Sequence, residues 1–287
     1  MMTHKKAIAL GNFDGIHSGH LAVINEVRKF SCPCALLFDE HSLKKLTGQA
    51  PPMLITEEER DSFFKSNSVQ TLYIDFGTVA DMSPESFIDE IIIKKFNAEA
   101  VVCGYNYRFG KNASGNTETL QNLCAQKNLK CSVVDEVDFQ GEPVSSTRIR
   151  RLIETGNVET ANKMLNRSFG FSSEVIHGEK RGRSWGFPTI NQIIPENMVM
   201  PKFGVYKSEV TVNSEKYIGV TNIGRRPTVG TDFVISETHI IDFDGDIYGK
   251  NADIRLLKFI RAERKFESFD ELGRQIKADV TEVKHNV

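Results

Sequence analysis

The first half of the chain alternates short apolar runs with stretches of helical period. Ala7-Ile8-Ala9-Leu10 reads as a buried strand, and a glycine-rich turn leads from it into a helix carrying Leu21, Ile24 and Val27 at helical spacing. Ala35–Phe38, Thr71–Ile74, Ala100–Cys103 and Cys131–Val134 are predicted as further strands, with helices near Glu57–Ser66, Pro84–Lys95 and Thr117–Lys127 between them. Strands alternating with helices predict a parallel, doubly wound (Rossmann-like) α/β sheet. Ligands of such sheets bind beyond the carboxyl ends of the strands, which directs attention to the loop after the first one.

Near residue 145 the pattern changes. Arg148–Thr155 and Val158–Leu165 read as two short helices split by Gly156-Asn157. Beyond Arg167 come short strands, Val205–Val212, Lys216–Ile223, Ser236–Phe243 and Asp253–Ile260, with turn signals such as Asp242-Phe243-Asp244-Gly245-Asp246 between them. A closing helix, Phe269–Lys284, carries Leu272 and Ile276 on one face. Short strands at this spacing predict a small antiparallel β-barrel. Two domains are therefore expected, residues 1–167 and 168–287, in keeping with a length of 287 residues.

Composition narrows the function classes. The 36 basic and 38 acidic side chains nearly cancel, leaving no electrostatic footprint for general nucleic-acid or membrane binding. The start offers one short apolar run, Ala7–Leu10, below the stretch of about 7–15 residues a signal peptide needs. No run approaches the roughly 20 apolar residues of a membrane span. Cys32, Cys34, Cys103, Cys124 and Cys131 include no Cys-x-x-Cys pair, so buried, reduced thiols in a cytoplasmic protein are expected.

Four segments carry chemistry. In Gly11-Asn12-Phe13-Asp14-Gly15-Ile16-His17-Ser18-Gly19-His20 the glycines permit close backbone approach, and the helix start beyond offers free N–H groups to an anion. His17 and His20, three apart on the opening turn, project to one side and suit the stabilisation of charge on a phosphoryl group in transfer. Cys103-Gly104-Tyr105-Asn106-Tyr107-Arg108-Phe109-Gly110-Lys111 is a strand end followed by an aromatic, glycine-rich loop, suited to stacking on a flat ring. Val144-Ser145-Ser146-Thr147-Arg148-Ile149-Arg150 gathers hydroxyl, backbone N–H and guanidinium donors, a triphosphate site by donor count. His177-Gly178-Glu179-Lys180-Arg181-Gly182-Arg183-Ser184-Trp185-Gly186-Phe187-Pro188-Thr189-Ile190-Asn191 is a basic glycine turn able to wrap phosphates, followed by Thr and Asn oxygens that suit Mg²⁺. Taken singly, these segments have plainer readings: core aromatics, N-cap hydroxyls, a solvated hairpin.

In order along nearly the whole chain, the four segments resemble the bacterial bifunctional riboflavin kinase/FMN adenylyltransferases (prokaryotic FAD synthetases). The resemblance extends to Asn222–Thr228, Ser236–Phe243, Asp246-Ile247-Tyr248-Gly249 and Ile260–Phe266. It implies an amino-terminal nucleotidylyltransferase domain in which His17 and His20 stabilise the α-phosphate of ATP and Arg150 holds the β- and γ-phosphates. Gly11, Phe13, Asp14, Gly19, Ser145, Ser146 and Thr147 would bind the nucleotide there, and Asn106 and Phe109 the flavin. In the carboxy-terminal kinase domain it implies Glu237 as general base. Gly178, Lys180, Gly182, Arg183, Pro188, Thr189, Asn191, Tyr248 and Gly249 would lie around the nucleotide, with Thr189 and Asn191 on Mg²⁺ and Arg261 and Phe266 near the flavin. The implied small molecules are ATP, riboflavin, FMN and FAD.

Two departures stand out. Leu37-Phe38-Asp39-Glu40-His41-Ser42 lacks both prolines of the family's Thr-Phe-x-Pro-His-Pro, and Ile190 replaces the usual Ala. The larger side chain, beside two expected ligands, either repacks or crowds the kinase site. Two other readings stay open at this point: a paralogue keeping one activity, most readily the adenylyltransferase, and a flavin-binding regulator without turnover.

Overall fold

The computed structural model describes residues 5–39, 48–178, 186–228 and 231–285, without the side chains of 226–228, 231, 232 and 269. The chain divides into two compact units, Met1–Ser146 and Thr147–Val287.

In the first unit β1 (Lys6–Leu10), β2 (Pro33–Phe38), β3 (Gln70–Ile74), β4 (Ala98–Gly104) and β5 (Lys130–Val134) form one sheet, ordered β3-β2-β1-β4-β5. Every pairing is parallel. Both faces are covered, which is why these strands read as continuous apolar runs. Ile8, Leu10, Leu36, Val101 and Cys103 pack with Ile88, Ile92 and Leu120 on one side. Ala7, Ala9, Leu37 and Val102 pack on the other with Val23, Ile24 and Val27 of α1 (Ser18–Val27) and Phe64 of α2 (Glu57–Ser66). Strand order reverses between β1 and β4, where Leu10 pairs with Cys103. The loops leaving those two strands therefore start side by side, at the switch point where such sheets bind ligands.

The helix expected over Pro84–Lys95 takes another form. After α3 (Phe76–Val79), a single turn α4 (Pro84–Ser86) widens into a π-helix, Phe87–Lys95, with Phe96 N–H reaching Ile91 O at 3.1 Å. The wider turn brings Phe87, Ile88, Ile91, Ile92 and Phe96 together into the core. The unit ends with α5 (Thr117–Gln126), β5 and a hairpin of β6 (Asp138–Phe139) and β7 (Glu142–Pro143).

The second unit holds α6 (Ser146–Glu154), which begins at the division, α7 (Val158–Leu165), and strands β8 (Gly170–Glu174), β9 (Thr189–Ile193), β10 (Gly204–Val212), β11 (Glu215–Thr228), β12 (Thr231–Ile240) and β13 (Asn251–Ala262). They form an antiparallel sheet ordered β8-β13-β10-β11-β12-β9. Its edges nearly meet: Ile176 N–H donates to Asn191 O at 2.8 Å, and the Gln192 amide donates to Ser173 O and Ala252 O. The result is the expected barrel, almost closed. Its interior is partly polar, with the Ser208, Thr221 and Thr238 hydroxyls linked at 2.7 and 2.9 Å.

The terminal helix α8 (Phe269–His285) lays Val280, Val283 and Ile276 on Val205 and Val220, on the outer face of the barrel. Helix α7 is tied to the barrel through Asn162, which donates to Leu256 O at 2.8 Å and accepts from Phe169 N–H at 2.7 Å. The division at 146/147 thus groups α6 and α7 with the strands, ahead of the boundary expected at 167/168. All five cysteines are free thiols.

Candidate functional site

The loop from β1 to α1 is held in an uncommon conformation. Phe13 (φ 51°) and Ile16 (φ 43°) lie in the left-handed region, which side chains avoid unless packing enforces it. Packing does enforce it: Phe13 and Ile16 are fully buried, with the Phe13 ring edge-on to Phe64 at 5.4 Å. The Phe13 ring, expected at the nucleotide, is core, so what Phe13 offers a ligand is its backbone. Gly11 is needed for the same reason, since a Cβ there would lie 3.3 Å from Phe13 Cζ.

His17 is the N-cap of α1, its Nδ1 accepting the His20 N–H at 3.3 Å. That bond requires an unprotonated Nδ1, which puts the ring proton on Nε2 and makes His17 a fixed donor through that atom. The His20 ring stacks on it, centroids 3.7 Å apart and planes at 18°. Burial, with His17 beside it, holds the His20 pKa well below its ordinary 6.5. His20 Nδ1 is buried and has no hydrogen-bond partner among the described residues. Gly19 leaves room for the stack: a Cβ would meet His17 Cε1 at 3.2 Å. Asp14 faces inward, its Oδ1 accepting Leu54 N–H at 2.8 Å and its carbonyl accepting the Ser146 hydroxyl at 2.8 Å. Ser145 and Arg150 are half-buried and Thr147 is exposed at the start of α6, while Ile149 and Ile153 anchor the opposite side of that helix.

The loop after β4 presents Tyr105 and Asn106 to solvent. Phe109, expected to stack on a flavin, is 6% exposed, lies 5.8 Å from Phe87 and stacks on Tyr107 at 5.7 Å. Its other flank is closed by Gly115, whose Cβ would fall 2.7 Å from the ring. Phe109 therefore braces the loop from beneath, its ring packed among Phe87, Tyr107 and Gly115.

In the second unit the strand register assembles the site. Glu237 on β12 is opposite Asn191 of β9 on one side and Asn222 of β11 on the other, and His239 is opposite Thr189. Opposed residues of antiparallel strands share a face, so these five side chains lie on one surface, the outer face that also carries α8. Ile190 is opposite Thr238 and points the other way, into the barrel. Of the two outcomes left open for Ile190, repacking or crowding, this register fits the first, because alternation along β9 puts its side chain on the opposite face from Thr189 and Asn191. Asn222 opens one of the stretches that resemble the family but was not among the expected site residues.

Asn191 is 4% exposed, with its Oδ1 lacking a partner among the described residues, and Gly178 covers it so closely that a Cβ would lie 2.2 Å from its Nδ2. A buried, unsatisfied oxygen with a threonine hydroxyl on the same face fits a hard cation such as Mg²⁺. Nearby, His239 Nδ1 is 2.9 Å from Pro188 O, and His177 stacks on Tyr248 at 4.0 Å. Gly249 (φ 74°) turns the chain after Tyr248 and donates to Val175 O at 2.9 Å. Arg261 is already committed: its guanidinium pairs with Asp279, 2.7 Å at the shortest, and lies over Phe266, which Arg264 flanks at 4.6 Å. Lys180, Gly182 and Arg183 lie outside the described residues, as do Glu40 and Ser42.

Residues 1–148 match the FAD synthetase family and residues 165–287 the riboflavin kinase family. Proteins described as bifunctional riboflavin kinase/FMN adenylyltransferase are similar along nearly their whole length. The one from Listeria monocytogenes is 34% identical, covering 96% of this chain and 90% of its own. The one from Bacillus subtilis is also 34% identical, covering 97% and 91%. That from Escherichia coli K12 is 33% identical, covering 95% and 90%. A solved Streptococcus pneumoniae structure, described as a macrolide-efflux protein, superposes with a TM-score of 0.89 at 31% identity over 99% of this chain and 95% of that one. Among the described residues of this chain no helix is long and apolar enough to cross a membrane.

Proposed function

The chain belongs to the bifunctional riboflavin kinase/FMN adenylyltransferase family and is a transferase that makes FAD from riboflavin by way of FMN; on that premise we propose which of its residues carry each step. In the amino-terminal unit AMP passes from ATP to the FMN phosphate and pyrophosphate leaves. His17 donates through Nε2 to the α-phosphate. His20, neutral in the free enzyme, gains a proton as the phosphate's negative charge comes to lie beside it, and adds a second stabilising charge. Backbone groups of the Gly11–Asp14 loop close around the nucleotide. The resemblance alone assigns the leaving pyrophosphate to the Ser145-Ser146-Thr147 hydroxyls and to Arg150. Asn106, with Tyr105 beside it, faces the flavin. The stacked His17–His20 pair at the switch point is the observation that carries this reading.

In the barrel, Glu237 takes the proton of the ribityl 5′-hydroxyl as that oxygen attacks the γ-phosphate of ATP. Thr189 and Asn191 would hold Mg²⁺, which when bound neutralises phosphate charge. Gly178 and Pro188 border the nucleotide with Tyr248 and Gly249, and Lys180, Gly182 and Arg183 belong to the same run. Arg261 acts indirectly, by fixing Phe266 and α8 beside the flavin. We take residues 168–287 as the kinase domain, with α6 and α7 as its brace. The free thiols support a cytoplasmic setting.

Incubation with riboflavin, ATP and Mg²⁺, and separately with FMN, ATP and Mg²⁺, tests the assignment when the flavins are resolved by chromatography. His20→Ala is expected to lower FAD formation from FMN by about 10²–10³ and to spare FMN formation; Glu237→Gln, of equal volume, does the reverse. Either variant forming its own product at the parental rate removes that residue from the mechanism.

A further inference from the structure

Asp14 stands in the middle of the amino-terminal signature, next to the histidine loop, yet it is 7% exposed and turned inward. Its Oδ1 accepts the Leu54 N–H, and its own carbonyl oxygen accepts the Ser146 hydroxyl. One residue thus joins three segments distant in sequence: the histidine loop, the stretch leading into α2, and the hydroxyl-rich turn at the start of α6. We infer that Asp14 is a positioning residue: its carboxylate sets the histidine loop relative to the Ser145-Ser146 turn and does not itself touch the nucleotide. The inference rests on the adenylyltransferase assignment made above.

The geometry supports this in two ways. A buried carboxylate oxygen already accepting a backbone N–H at 2.8 Å has no reason to approach a triphosphate, whose charge has the same sign. The Ser146 hydroxyl proton points to Asp14 O, so that proton is engaged within the protein and not offered to phosphate. The two halves of the ATP site are therefore coupled at Asp14. Losing its carboxylate frees Leu54 N–H and lets the left-handed backbone around Phe13 and Ile16 relax, which shifts His17. A shift near 1 Å in a charge-stabilising group costs about 10² in rate without removing a binding contact.

The test compares Asp14→Ala, Asp14→Asn and His20→Ala in the full chain, measuring kcat and KM for ATP in FAD formation from FMN, with FMN formation from riboflavin as the control for the second unit and thermal unfolding followed by circular dichroism as the measure of folding. Asp14→Ala is expected to lose about 10² in kcat with KM for ATP within a factor of three, because the histidines are misplaced while the nucleotide's own contacts survive. Asp14→Asn keeps an acceptor for Leu54 N–H and is expected to recover at least tenfold of that loss. A raised KM with kcat unchanged in Asp14→Ala overturns the inference and makes Asp14 a nucleotide contact. Parental constants in Asp14→Ala also overturn it, as does an Asp14→Asn variant as impaired as Asp14→Ala. Should Asp14→Ala fail to fold, Asp14→Asn decides alone: a kcat within tenfold of parental supports the role, and a hundredfold loss refutes it. If His20→Ala makes FAD at full rate, the assignment of the site fails first, and that result is distinct from any Asp14 outcome.

Discussion

Replacing Gly178 by alanine tests the kinase site through a single methyl group. The backbone at Gly178 is not in the left-handed region, so the change carries no conformational strain and acts by contact alone. The new Cβ would fall 2.2 Å from Asn191 Nδ2, where ordinary contact begins near 3.4 Å, so the amide must retreat by about 1.2 Å. The Asn191 backbone cannot absorb this, because it is paired with Glu237 on one side and with Ile176 on the other. The side chain must therefore turn away from its place beside Thr189. Catalytic groups tolerate about 0.5 Å of displacement, and about 1 Å costs near 10² in rate. FMN formation is expected to fall about a hundredfold, with a stability loss of about 1–3 kcal/mol from overpacking. FAD formation from supplied FMN, measured in the same sample, should stay within twofold. A second comparison isolates the cause: an Asn191→Ala background removes the three atoms nearest the methyl group, so adding Gly178→Ala should cost little more. Parental FMN formation by Gly178→Ala, or equal losses in both backgrounds, would show that the contact does not set the ligand.

Further outcomes follow from other contacts. Ile190→Ala should leave the rate of FMN formation unchanged and lower stability by about 1–2 kcal/mol, as expected for a half-buried side chain facing the barrel interior; a faster kinase would return Ile190 to the ligand face. Arg261→Met leaves the 3%-exposed Asp279 with Gln275 as its side-chain partner among the described residues, and should cost about 3 kcal/mol and raise hydrogen exchange in α8; unchanged exchange would detach the ion pair from the helix. Since the folded His20 pKa is depressed, the unfolded chain binds the extra proton as pH falls below 6.5, and stability present above that pH is lost toward the folded value. His20→Asn should therefore lose less Tm than the parent between pH 7.5 and 5.5; equal losses would mean that His20 is not the group responsible.

What was legible in the sequence depended on where the apolar residues face. The five parallel strands are buried on both sides, so Ile8, Leu36 or Val101 sit in runs that a pattern reading finds at once. Strands β8 and β9 escaped it because apolar and polar residues share their inward positions: beside Phe171 and Ile190, Gln192 spans the barrel interior to Ser173 and Ala252, a place a pattern reading expects an aliphatic residue to fill. The widened turn over Phe87–Lys95 has no sequence signature apart from its isoleucines, which suit an ordinary helix equally well. Contiguous motifs located the histidine pair and the glutamate. They did not say which way Phe13, Phe109 or Asp14 face, since motif spacing records neighbours along the chain and burial records neighbours across it. Leu54 and Asn222 enter only through a distant hydrogen bond and a strand register, which no local pattern encodes.

The two sites are consequently vulnerable in different ways. The amino-terminal one is made of loops at a switch point, and its accuracy comes from a few cross-links such as Asp14–Leu54 and the His17 cap, so it degrades by degrees as those are removed. The barrel site is made by parity: Thr189 and Asn191, Glu237 and His239, and Asn222 lie on one face because each is an even number of residues from its partner on the same strand and opposed across the next. Side-chain substitutions leave parity intact, so the size of Ile190 is felt in the barrel interior and not on the face of Thr189 and Asn191. A change of register by one residue in β9 or β12 would instead exchange Asn191 for Gln192 or Glu237 for Thr238 and empty the site at once. The polar interior, with Ser208, Thr221 and Thr238 joined by hydroxyl bonds, opposes that slip: their buried hydroxyls would lose partners if the strands moved. The hydroxyl chain of the barrel interior thus helps hold Glu237 and Asn191 on the same outer face.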